Sequence, residues 1–381
     1  MIPLSIPNIT GNEWKYVKDC LDTGWISSAG EYVYKFEEVI QNYTGVKHAI
    51  ACMNGTAGLQ ISLNLSGVSS NDIVIAPNLT FVATLNAISY IGAEIALVDI
   101  CEDSWQMDID LLQSWLENNT STEVVNGKTI TRDNNSGKKI GAIIPVYVLG
   151  GFMGIDELVE ISANYGIPII EDSTEALGSF KKGKHAGTYG LTGVLSFNGN
   201  KIISTGGGGI ILTNDKDIAN RAKHLTTTAK TDSLNYFHDE VGYNYRLVNV
   251  LAAIGVAQME NFESILKRKK EIDAFYRNEL NGIGDIKFQE NDTDSDPNCW
   301  LFTFRTKKMR TLLNHLNNNA IQCRPFWTPM NKLPMYNDLT YISKKDFSNK
   351  IFKECISIPS SSNLSEVDQN KVILEIKNFY K

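Results

Sequence analysis

The chain has 381 residues, more than one hydrophobic core usually supports, so two domains are expected. Hydrophobic residues make up 43% and charged residues 21%, ordinary for a soluble globular protein. The formal charge of −7 argues against general attraction to nucleic acid or anionic membranes, although a local pocket can still hold an anionic ligand.

Through the first two-thirds, short β-branched runs alternate with helical periodicity, which predicts an α/β domain around a largely parallel sheet. Strands are expected at His48–Cys52, Asp72–Ala76, Glu94–Val98, Ile140–Val146, Pro168–Asp172, Gly193–Phe197 and Gly209–Thr213. Helices are expected at Thr56–Leu65, Phe81–Ile91, Ile109–Glu117 and Ile155–Tyr165. Ile140–Val146 is almost uniformly apolar, as strands buried on both faces are. The polar stretch Asn118–Lys139 breaks this rhythm, and its Asn126-Gly127 step between β-prone runs predicts a surface hairpin with no catalytic role. After Asn249 the texture changes. Asn249–Leu280 predicts one long helix or two, leading to a strand at Cys299–Arg305, a helix at Lys307–Asn318 and a strand at Ile321–Pro325. The expected division is a large domain over residues 1–248 and a smaller α+β domain over 249–381.

No window approaches a membrane span, and Met1–Asn8 lacks the basic and apolar regions of a secretory signal. Six scattered cysteines without a CxxC pair suit a reducing cytoplasm and oppose a metal site.

Chemistry-bearing residues cluster after the predicted strands. Ile169-Ile-Glu-Asp172 ends an apolar run in acids, at the carboxyl end of a strand where open α/β sheets gather ligands; a helix cap is the alternative for Asp172 alone. Ser196-Phe-Asn-Gly-Asn-Lys201 follows another such run, and Gly206–Gly209 comes soon after. Taken alone, Lys201 reads as a surface lysine, but four consecutive glycines imply a tight turn or a close approach. The pattern is not a P-loop, because no GxxxxGK[ST] occurs, and no GxGxxG follows the first strand as a dinucleotide fold requires. Asn54-Gly-Thr-Ala-Gly58 lies between strand and helix, where backbone N–H groups and the helix dipole can hold a phosphate, or where a plain turn can cap the helix. Pro77-Asn-Leu-Thr-Phe81 places an aromatic after the next strand.

Four segments in order resemble the DegT/DnrJ/StrS family of sugar aminotransferases, built on the fold type I scaffold for pyridoxal phosphate, over nearly the whole chain. They are Asn54-Gly-Thr56, Glu171-Asp-Ser-Thr-Glu-Ala-Leu-Gly178, Ser196–Gly209 and Gly242-Tyr-Asn-Tyr-Arg-Leu-Val-Asn249. The resemblance implies that Lys201 carries pyridoxal 5'-phosphate and then serves as base and acid. It implies that Asp172 pairs with the ring nitrogen, that Glu175 (where Gln is common) bonds the ring hydroxyl, and that Phe81 stacks on the ring. Gly55, Thr56, Ala57, Ser196 and Asn198 would complete the cofactor site. Asn244 matches a position that reaches the phosphate from a second subunit, which implies a homodimer with shared sites.

The same resemblance places the Asp22–Gly30 loop, with Trp25, Ile26, Ser27 and Ser28, beside a sugar. It places Arg324 and Trp327 near a nucleotide, where a guanidinium suits a diphosphate; domain packing is the alternative for each. The words Ser-Phe-Asn-Gly-Asn-Lys, Gly-Tyr-Asn-Tyr-Arg and Arg-Pro-x-Trp are similar to the subgroup that transfers an amino group, usually from glutamate, to the 4-keto group of UDP-linked 2-acetamido-2,6-dideoxyhexoses. Relatives that act at C3, or on GDP- or dTDP-sugars, share most of this vocabulary. Tyr147 and Asn331 stand where many relatives have histidine, and Ser173 replaces a common alanine. Lys201 opposes the related sugar dehydratases, which carry histidine there, and Lys201 with Asp172 opposes a catalytically silent regulator.

Overall fold

A computed structural model describes all 381 residues. The central sheet is built from β1 (His48–Cys52), β2 (Ile73–Pro77), β3 (Glu94–Val98), β4 (Ile140–Ile143), β5 (Ile170–Asp172), β6 (Thr192–Ser196), β7 (Gly209–Thr213) and β8 (Thr340–Ile342). Two ladders, β1-β7-β6-β5 and β8-β3-β2-β4, meet through parallel bridges Ile143–Ile169 and Val146–Asp172. All pairings are parallel except those of β7, which runs antiparallel to both β1 and β6. The sheet is thus largely parallel, as expected, and every residue of β2 and β7 is buried.

The helices are α1 (Glu13–Thr23), α2 (Glu31–Thr44), α3 (Gly55–Leu65), α4 (Ala83–Ile91), α5 (Ile109–Asn119), α6 (Ile155–Tyr165), α7 (Lys216–Thr226), α8 (Asn249–Glu260), α9 (Phe262–Leu280), α10 (Met309–Asn318), α11 (Phe347–Glu354) and α12 (Glu366–Tyr380). The strand expected to reach Val146 ends at Ile143, since Pro145 offers no N–H to a ladder. The Asn249–Leu280 run is two helices, broken at Asn261. The predicted hairpin pairs Thr120–Val125 with Lys128–Asp133, and Asn126 and Gly127 both take positive φ in its turn. It seats on the end of α6: the Thr131 hydroxyl donates to the Tyr165 carbonyl at 2.5 Å, and a Cβ on Gly166 would lie 2.3 Å from the Thr129 carbonyl oxygen.

One apolar cluster joins Phe36 and Ile40 of α2 to Leu195, Phe197 and Phe262, behind the loop that carries Lys201. Another packs Leu59 and Leu63 of α3 against Val74, Leu97 and Ile170. A third unites Ile272, Tyr276, Phe302, Phe304, Leu312 and Val372 in the carboxy-terminal half. Short segments cross between the halves, among them Ser295–Asp296, which pairs with Phe180–Lys181. Ile2 pairs with Ile321 and joins the third cluster, while β8 adds itself to the free side of β3. No helix is long and apolar enough to cross a membrane.

Candidate active site

The site begins where β1 turns into α3. Asn54 has extended backbone, and its side chain caps the helix by accepting from the Ala57 N–H at 2.8 Å. Gly55 and Thr56 then begin the helix with N–H groups that have no partner inside it, and both face a cavity of about 310 Å³. The turn lies hard against β7: a Cβ on Gly209 would sit 2.5 Å from the Asn54 carbonyl carbon. A Cβ on Gly55 would meet Thr174 at 2.9 Å and Ser196 at 3.1 Å. Glycine at both positions lets three chain segments converge at one wall of the cavity.

β5 delivers Asp172, which is 4% exposed. Its Oδ2 accepts from the Thr84 hydroxyl at 2.7 Å, and its Oδ1 accepts from the Thr174 N–H at 3.2 Å. Beyond β6 the chain loops inward: the Lys201 N–H donates to the Asn198 carbonyl at 3.0 Å, and the Phe197 and Thr205 amides close the loop base. This turn presents Lys201 to the same cavity as Asp172. The lysine Nζ lies 3.8 Å from Glu175 Oε1 and 4.3 Å from the centre of the Trp300 ring. Trp300 is fixed in turn, its indole N–H donating to the Asn200 carbonyl at 2.7 Å.

Electrostatics follow from this enclosure. Burial holds Lys201 below the usual lysine range, against the opposite pull of Glu175 and Asp172. Burial pushes Glu175 up to about 7, while Lys201 and the Leu149 N–H, which donates to Oε2 at 2.8 Å, act to lower it.

The cavity brings together Gly55, Thr56, Phe81, Asp172, Glu175, Ser196, Asn198, Lys201 and Trp327. Phe81 precedes α4, half-exposed, with its ring edge-on to Trp327 at 6.5 Å. Other predicted residues lie elsewhere. Ala57 is buried in the first turn of α3 and does not line the cavity. Asn244 is exposed and its side chain accepts from Arg246. Trp25 and Ile26 are 58% and 50% exposed, in a loop pinned by Asn249, which donates to the Trp25 carbonyl at 2.7 Å and to the Ser27 carbonyl at 2.7 Å. Ser27 and Ser28 belong to the same loop, and exposed Arg324 reaches only the Cys323 carbonyl.

Thr80, Thr84, Thr174, Asn200 and Trp300 also line the cavity without having been singled out. Thr84 stands three residues beyond Phe81 in the first turn of α4, which is the one signal that could have marked it. Trp300 carried none. Tyr147 and Asn331 both lie outside the cavity. The Tyr147 hydroxyl donates to buried Glu171, and Asn331 is paired twice with Asn78, at 2.9 and 3.2 Å.

The residues present fit pyridoxal phosphate. Unpartnered helix-start N–H groups and a serine suit a phosphate, a buried carboxylate suits a ring nitrogen that must keep its proton, and a lysine of lowered basicity suits an aldehyde.

The model of the DegT/DnrJ/EryC1/StrS aminotransferase family matches residues 7–377. GDP-perosamine synthase of Escherichia coli O157:H7 is 34% identical, covering 100% of this chain and 98% of the relative. The putative pyridoxal phosphate-dependent aminotransferase EpsN of Bacillus subtilis is also 34% identical, over 98% of this chain and 94% of its own. A crystal structure of a DegT DnrJ EryC1 StrS aminotransferase from Brucella abortus superposes with a TM-score of 0.88 at 24% identity, covering 97% of this chain and 95% of that one, which establishes the fold. With a family match along almost its whole length and relatives one-third identical from end to end, the chain belongs to the DegT/DnrJ/EryC1/StrS aminotransferase family.

Proposed function

We propose that this sugar aminotransferase uses pyridoxal phosphate to move an amino group from glutamate to the C4 ketone of a UDP-linked 2-acetamido-2,6-dideoxyhexose, for a surface-glycan sugar. The observation that carries the reading is the placement of Asp172 and Lys201 on one cavity backed by the turn at Gly55 and Thr56.

The bound cofactor supplies an electron sink for the charge left when the amino acid carbon loses its proton. The chain's own residues do the rest. Lys201, below its usual basicity, would bond the cofactor and serve as the base and acid that moves that proton. Asp172, oriented by Thr84, holds the ring nitrogen in its protonated form. Gly55, Thr56 and Ser196 hold the phosphate, and Phe81 and Trp327 close the mouth around the ring and sugar. Arg324 and the Trp25–Ser28 loop are assigned to the sugar nucleotide. Asn244, which lies outside its own cavity, is assigned to the phosphate site of a second copy, so the working unit is a homodimer. The small carboxy-terminal domain is taken from residue 249, and the six unpaired cysteines support a cytoplasmic setting.

A second reading keeps the reaction and changes the nucleotide to GDP. It is favoured by the name of the Escherichia coli relative. Purified protein with glutamate, offered UDP-, GDP- and dTDP-linked keto-6-deoxysugars, separates the two. An amine at C4 of the UDP-2-acetamido sugar, identified by mass and NMR, is the expected product. Product from the GDP-sugar alone replaces the first reading with the second. No amine from any sugar overturns both.

A further inference from the structure

A lysine that attacks an aldehyde must first lose a proton, and Lys201, mostly buried on the cavity wall, has a carboxylate closer at hand than bulk water. Three groups bear on its Nζ. The Trp300 ring, 4.3 Å away, attracts a cation through its face but offers no lone pair, and its N–H is committed to the Asn200 carbonyl. Asp172 forms no ion pair with Nζ, and its carboxylate is already assigned to the ring nitrogen. Glu175 differs. Its Oε2 is held by the Leu149 N–H at 2.8 Å, whereas its Oε1 has only Lys201 before it, at 3.8 Å. That is about 1 Å beyond a hydrogen bond, a gap that a turn of the lysine tail closes. The residue is held at both its side chain and its backbone: the Leu149 N–H fixes Oε2, and the Asn298 side chain donates to the Glu175 main-chain carbonyl at 2.8 Å.

We propose that Glu175 is the internal proton acceptor for Lys201, which makes the lysine a neutral nucleophile without passing its proton to solvent. The inference rests on the reading of Lys201 as the residue that bonds the cofactor. The proton on Nζ moves to Oε1 of Glu175; an ammonium and a carboxylate become an amine and a carboxylic acid, so the pair carries no net charge before or after. The charged groups acting on Glu175 are Lys201 and Asp172. Asp172 favours the acid form by repulsion, and burial of both partners favours the neutral pair.

Infrared difference spectroscopy of the full chain, cofactor-bound minus cofactor-free, tests this directly. A positive carbonyl band of a protonated carboxylic acid is expected, shifted when the protein is made with carboxyl-labelled glutamate, and lost in Glu175→Gln. Gln at this position keeps an oxygen for the Leu149 N–H, so the variant is expected to fold and to bind cofactor. The wild type is expected to show a bend in its rate–pH profile near neutrality, and this variant is expected to lack it. Absence of a label-sensitive acid band in a wild type that has visibly bound cofactor overturns the proposal, whether or not the variant folds. A band that survives in Glu175→Gln, or an unchanged pH profile, overturns it as well. Failure of the wild type to bind cofactor at all would instead remove the reading of Lys201 on which it stands.

Discussion

The Thr84 hydroxyl donates a 2.7 Å hydrogen bond to Asp172 across 88 residues of sequence, tying the first turn of α4 to the end of β5. Thr80 extends the chain, its hydroxyl 2.9 Å from that of Thr84, and both threonines are buried. This network fixes which way the carboxylate faces and leaves it a strong acceptor.

Replacing Thr84 with Val keeps the shape and removes the donor. A bond to a buried charged group contributes about 1.5–3 kcal/mol, so the cofactor-free protein should lose stability of that order. The turnover number should fall about ten-fold, since roughly 1.4 kcal/mol of transition-state stabilisation corresponds to that factor. Thermal unfolding and steady-state kinetics check the two effects separately. Unchanged turnover would mean that Asp172 needs no help in its orientation.

Lys201→Ala should abolish transamination while the thermal midpoint changes little, because a largely buried amine is removed from a site that disfavours its charge. Near-normal turnover in that variant would contradict the assignment of Lys201.

Gly209→Ala should disturb the cofactor site from behind. The new methyl group would stand 2.5 Å from the Asn54 carbonyl carbon, and relieving it must shift either β7 or the turn at Gly55. Overpacking of this kind costs about 1–3 kcal/mol. Cofactor affinity, measured by titrating the visible absorbance, should fall by more than it does for an alanine at Gly199, where a Cβ meets nothing.

His185 gives the protein an acid-sensitive element. It is fully buried, its Nε2 accepts from the Gly178 N–H at 3.0 Å, and burial lowers its pKa from 6.5 to about 4. Below 6.5 the unfolded chain takes up a proton that the folded chain refuses, so this contribution is intact above 6.5 and is lost as pH falls towards 4. The loss amounts to about 3 kcal/mol. His185→Gln retains an acceptor for the Gly178 N–H and should flatten denaturant midpoints over this range; an unaltered slope would place the acid sensitivity elsewhere.

How much of this was legible depended on the range of the interaction. Asp172 and Lys201 each follow a local apolar run, so their placement at strand ends could be read from neighbours in sequence. The burial of β4 likewise showed in the almost uniformly apolar run at Ile140–Val146. Trp300 was invisible because its meaning lies wholly in a contact with a lysine almost a hundred positions away. α1 and α2 were missed for a related reason: α2 is rich in charge and tyrosine, and its apolar residues Val33, Phe36 and Ile40 gain significance only against Phe197 and Phe262. Of the expected residues that lie outside the cavity, Asn244 and the Trp25–Ser28 loop are exposed on this chain, where no pattern within one copy could decide their use.

The three residues of β8 have a consequence for any attempt to divide the protein. Cut after position 248, the larger piece would present β3, Glu94–Val98, as an edge strand, paired with β2 on one side and bare on the other, with four of its five residues apolar. Such a margin is a template for other chains. The carboxy-terminal third therefore acts as a guard against self-association as well as a wall of the cavity, and the two halves are expected to be soluble together and sticky apart.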